Sequence, residues 1–143
     1  MYIEHFIQNI KKSAEQNSSI FQISDPVQEE SIIELENRLV KQIPDQIKSF
    51  YRICNGLIVQ KPVLEIKPIE KLQIDDKGML VFAVFNEAHF ICFDTNSINA
   101  AAQWDILNYE TGYLVTMTMA SFWSNKVFAW LNKQRTIWKE EIY

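Results

Sequence analysis

The chain has 143 residues, of which 48% are apolar and 22% charged, with only three glycines and four prolines. That is enough for one domain, residues 1–143, burying about two-thirds of its unfolded surface, and it excludes a disordered or collagen-like chain. A net charge of −4 without a basic cluster argues against direct nucleic-acid binding.

In chain order, Ile3, Phe6, Ile7, Ile10 and Ala14 mark a first amphipathic helix that ends near Gln16 in an Asn-Ser-Ser loop. Met1 to Gln16 mixes charged and apolar residues, unlike a secretion signal. Asp25-Pro26, with Gln28 three residues after Asp25, predicts a helix N-cap, a first-turn proline and a capping box. Ile32, Leu35 and Leu39 then share one helical face, and Ile47, Phe50, Tyr51 and Cys54 form a second apolar stripe. Pro44 suits the first turn of that second helix, where its missing N–H has no partner to lose. Gly56 suits the residue after the last turn, because glycine takes positive φ without a Cβ penalty.

Beyond Gly56 the period shortens. Leu57-Ile58-Val59 and Val63 to Ile66 read as short strands broken by Lys61-Pro62, and Asp75-Asp76-Lys77-Gly78 reads as a turn. Met79–Phe85 and His89–Phe93 predict a hairpin around Asn86-Glu87-Ala88. Gln103–Asn108 and Tyr113–Thr118 predict two more strands around Glu110-Thr111-Gly112. A last helix from Met119 or Ser121 to Lys133 puts Trp123, Val127, Trp130 and Leu131 on one face. Trp138 and Tyr143 follow in a segment that either frays or docks back onto the domain. The order predicts an α+β domain: N-terminal helices, a mainly antiparallel twisted sheet, and a C-terminal helix. The longest apolar run, Met79 to Phe85, is too short to span a bilayer, so a cytoplasmic location and no membrane partner are expected.

The pattern Ile32-x-x-Leu35-Glu36-x-x-Leu39, then Ile43-Pro44-Asp45-Gln46-Ile47-Lys48-x-Phe50-Tyr51 and the Asn55-Gly56 stop, resembles the SUKH superfamily. Leu64-Glu65-Ile66 followed by Ile69-Glu70-Lys71-Leu72, the hairpin ending in Phe93-Asp94, and the helix from Ser121-Phe122 to Trp130-Leu131 continue the likeness across residues 27–133. The family often has glycine where this chain carries Val40, and a glycine-bearing hairpin where it reads Asn86-Glu87-Ala88; asparagine also tolerates positive φ. The superfamily holds bacterial toxin-immunity proteins and fungal regulators of cell-wall glucan synthesis. The resemblance thus implies either neutralisation of a toxin by direct non-covalent binding, or a regulatory or scaffolding module. The absence of long flanks in this chain favours immunity.

The residues give little reason to expect catalysis. Gly56, Gly78 and Gly112 are too far apart for a nucleotide loop. His5 reads as a surface or boundary side chain. His89 precedes Cys92 and Asp94, but strand alternation turns His89 away from both, so it reads as structural. Asp75-Asp76 is explained by turn chemistry and Glu29-Glu30 by the helix macrodipole. Cys54 and Cys92 lie on apolar faces without metal spacing. No catalytic residue, metal or cofactor is expected.

A protein partner is expected instead. Between Lys77 and Lys126 there is no lysine or arginine, while Glu87, Asp94, Asp105 and Glu110 lie inside, interleaved with Trp104, Tyr109 and Tyr113. The gap reads either as the ordinary charge poverty of sheet segments or as an acidic, aromatic-bearing surface for a basic partner. On the second reading Glu87, Asp94, Trp104, Asp105, Tyr109 and Glu110 are the candidate partner-binding residues. The partner would be a basic toxin domain, such as a nuclease that must hold phosphates.

Overall fold

In the computed structural model, which describes residues 3–140, the apolar periods become three helices, a sheet and a closing helix. Helix α1, Ile3–Gln16, buries Ile3, Phe6, Ile7 and Ile10. Helix α2, Glu29–Leu39, buries Ile32, Leu35 and Leu39, and α3, Asp45–Ile53, buries Ile47, Phe50 and Tyr51. Glu36 locks the α2–α3 corner: its Oε2 accepts the Ile43 N–H at 2.8 Å and meets Lys48 Nζ at 3.1 Å. Pro44 stands just before α3 as its cap.

Seven strands follow one another in space as they do in sequence, each antiparallel to its neighbour. They are β1 Phe21–Ile23, β2 Leu57–Gln60, β3 Val63–Ile66, β4 Met79–Phe85, β5 His89–Asp94, β6 Asp105–Asn108 and β7 Leu114–Thr116. A 3₁₀ turn at Ile69–Lys71 leads into the β3–β4 loop. The C-terminal helix runs from α4, Met119–Ser121, through a π-helical stretch, Phe122–Val127, into α5, Phe128–Lys133. Thr118 caps it, accepting the Ser121 N–H on Oγ1 at 3.0 Å.

One face of the sheet is sealed. Leu57, Val59, Leu64, Ile66, Leu80, Phe85, Ile91, Phe93 and Ile106 are buried in a single cluster with the helices. The β4–β5 register passes from Val81↔Cys92 to Ala83↔Ile91, so Phe82 is an extra residue, and both Phe82 and Ala83 are buried. Phe82 stacks on Phe93 at 3.8 Å between ring centroids and meets Phe122 edge-on at 5.3 Å.

Two expectations change, and the alternative left open for the tail is decided. The helix predicted from Asp25-Pro26 starts later, at Glu29, with Gln28 as a cap that makes no side-chain bond. Residues 24–27 are instead extended along the end of α3: Ser24 N–H donates to the Gly56 carbonyl, Asn55 N–H to Asp25 and Val27 N–H to Tyr51. A chain held that way cannot also coil. Between the Asn-Ser-Ser loop and Ser24 the chain forms strand β1, which no pattern in the sequence signals. The tail also docks: Ile137 and Trp138 are buried, and Asn108 Nδ2 donates to the Trp138 carbonyl at 2.7 Å. Tyr143 lies outside the described residues.

Three turns carry positive φ at positions that the sequence raised. Gly56 has φ +86°, two residues past the C-cap Cys54, and a Cβ there would sit 2.5 Å from the Ile66 carbonyl oxygen. Val40 ends α2 with φ 55°, left-handed backbone for a β-branched side chain. In the β4–β5 turn Asn86 and Glu87 both have positive φ.

Candidate functional site: the open face of the sheet

Strand alternation that sends Ile91 and Phe93 inward sends Phe90, Cys92 and Asp94 to the opposite face. No described helix covers that face. Ile58 on β2, Phe90 on β5 and Leu114 on β7 are 40%, 38% and 46% exposed there. The β3–β4 loop rises beside it, and its Asp75 is held by three donors. Oδ1 accepts the N–H groups of Lys77 at 2.8 Å and Met79 at 2.9 Å, and Oδ2 accepts the Tyr109 hydroxyl at 2.9 Å. The Met79 N–H chiefly, then the Tyr109 and Lys77 donors, hold the Asp75 carboxyl below the usual carboxylate range. The same bond raises the Tyr109 phenol.

This Tyr109–Asp75 bridge crosses a trough. On one side is a cavity of about 470 Å³, floored by Met79, Val81 and Phe90 and walled by Lys67, Lys71 and Glu110. On the other lies one of about 400 Å³, bordered by Asp76, Cys92, Leu107 and Gly112.

The six expected partner-binding residues separate into groups. Tyr109 and Glu110 meet at the trough. Asp94 and Asp105 face each other on one rung of β5–β6, each steadied by an asparagine: Asn96 N–H and Nδ2 donate to Asp94 Oδ1, and Asn99 Nδ2 donates to Asp105 Oδ1. Glu87 is exposed at the far end of β5, roughly 15–20 Å from Asp94 at strand rise. Trp104 is 2% exposed and packs near Phe93, so it belongs to the core and is not available as a surface anchor.

The lysine-free stretch also does not make a uniformly acidic face. Lys67 and Lys71, which precede that stretch, line the same cavity as Glu110. Only the β3–β4–β5–β6 strand order brings them together, and no local pattern signals it.

The groups considered for catalysis are engaged elsewhere. His89 stacks on Trp138, with centroids 3.9 Å apart and planes at 10°. Cys92 Sγ lies 3.9 Å from Met79 Sδ, and burial, then Asp75 and Asp94, pushes its thiol up to about 12. Burial likewise pushes Cys54 up to about 11. Neither thiol supplies appreciable thiolate near neutral pH. Tyr51, raised by burial, donates its hydroxyl to the Lys67 carbonyl at 2.8 Å. Among the described residues no three His, Cys, Asp or Glu side chains gather as a metal cage, and no helix is long and apolar enough to cross a membrane. Comparison with known proteins finds no family model that matches the chain and no curated protein that matches it.

Proposed function

We propose that this protein is a SUKH-type immunity protein of the cytoplasm that neutralises a toxin by direct, non-covalent binding through the open face of its sheet. The observation that carries the reading is the sheet's asymmetry. One face is sealed by helices, while the other leaves Ile58, Phe90, Leu114 and Tyr109 partly exposed beside a trough. Exposed apolar groups rimmed by charge mark protein contact surfaces. Glu87, Asp94, Asp105 and Glu110 stand around or near that face, and with the net charge of −4 they favour encounter with a basic toxin domain. The ordered likeness of residues 27–133 to the SUKH pattern supports the same conclusion.

Co-expression with the toxic domain encoded beside this protein tests it. The expected result is survival of the host together with a complex that co-purifies. Absence of both rescue and complex would overturn the proposal.

A further inference from the structure

We infer that the trough seats one large apolar side chain of the partner, on a segment that brings a carboxylate to Lys71 and a basic group to Glu110. The inference rests on the immunity reading and gives its partner a local chemistry.

The floor comes from alternation: Met79 and Val81 on β4 and Phe90 on β5 all point to the open face, below charged walls. A cavity of about 470 Å³ is within the range that holds a buried anchor. The walls have an uneven charge balance. Lys67 has a partner in Glu65 at 3.7 Å, and Asp75 is filled by its three donors. Lys71 and Glu110 have no ion pair or side-chain hydrogen bond among the described residues. They leave an unanswered positive and an unanswered negative group on the walls of one apolar floor.

A uniformly basic surface would bring like charge against Lys67 and Lys71, so overall attraction alone does not fit the site. A segment with an apolar residue between opposite charges does. An extended polypeptide suits it better than a small molecule, because the trough continues past the Tyr109–Asp75 bridge into the second cavity, which shares Asp75, Met79 and Tyr109.

The test measures toxin affinity for wild type, for Phe90→Asp, and for the double exchange Lys71→Glu/Glu110→Lys, which leaves the net charge at −4. Phe90→Asp is expected to weaken binding by about a hundredfold. The charge exchange is expected to weaken it by about tenfold although overall charge is unchanged. Ile33→Asp, at an exposed position of α2 away from the open face, is expected to stay within about twofold of wild type. Phe90→Ala is the milder probe should the aspartate disturb folding, with a loss of about tenfold expected. A wild-type complex with the Phe90 variants and the charge exchange all at wild-type affinity would overturn this inference alone. No wild-type complex would overturn the immunity reading and this inference with it.

Discussion

The two faces of the sheet are built from neighbouring residues of the same strands and obey different rules. On β5, Ile91 and Phe93 are fully buried under helices, while Phe90 between them and the turn is 38% exposed. The sealed face is an interlocking set of rings: Phe82 on Phe93, Phe85 on Phe122, and both Phe85 and Trp130 against Trp138. The open face carries side chains that the fold does not require in order to close. The difference teaches where the chain is constrained by packing and where it is not.

The sharpest way to break the comparison is to truncate one phenylalanine on each face. Phe82→Ala should destabilise by about 3–5 kcal/mol, because the helices above it cannot collapse into the hole. Phe90→Ala should stay within about 1 kcal/mol, and urea titrations of the two variants would show equal losses if the faces were in fact alike. Gly56→Ala comes next, with a loss of about 2–3 kcal/mol from positive φ and the collision with the Ile66 carbonyl. Val40→Gly works in the other direction. Val40 is 87% exposed and holds left-handed backbone, so glycine should raise stability by about 1 kcal/mol, visible as a higher Tm. An unchanged or lower Tm would mean that the valine is not strained there.

The smallest effect concerns the bridge on the open face. The Asp75 carboxyl is depressed in the folded state, so its contribution is present above the unfolded carboxylate pKa and is lost as pH falls through the folded one. The Tm advantage of wild type over Asp75→Asn should therefore be flat near neutral pH and shrink in acid. A difference that stays constant down to acid would show that the carboxylate charge does not matter.

Much of the sealed face was legible in the sequence, because burial writes itself as a period. Ile32, Leu35 and Leu39, or Ile47, Phe50 and Tyr51, recur at helical spacing and are all buried. Strand β1 was not legible: Phe21-Gln22-Ile23 is too short for alternation to stand out beside a serine loop, and its pairing with β2 spans more than thirty residues. Asp25-Pro26 misled because it has the composition of a cap, while its main chain is pulled straight by Asn55 and its neighbours by Tyr51 and Gly56. The open face was half legible. Tyr109 and Glu110 could be picked out, but Trp104 sits alone after a loop with no stripe to declare it buried. The lysines opposite Glu110 come from the residue just after β3 and from the 3₁₀ turn that follows, which a linear charge map keeps apart from Glu110.

The docking of Trp138 has a consequence for biosynthesis. The rings it joins, Phe85 and Trp130, and the imidazole it covers on β5 are all made earlier in the chain. A nascent chain can pair its strands in order as they emerge, since every neighbour in the sheet is also the next in sequence. Its core stays uncapped until residue 138 has cleared the ribosome. Fragments released before that point would present Phe85 and Trp130 to solvent, which makes premature termination a route to chaperone capture and degradation.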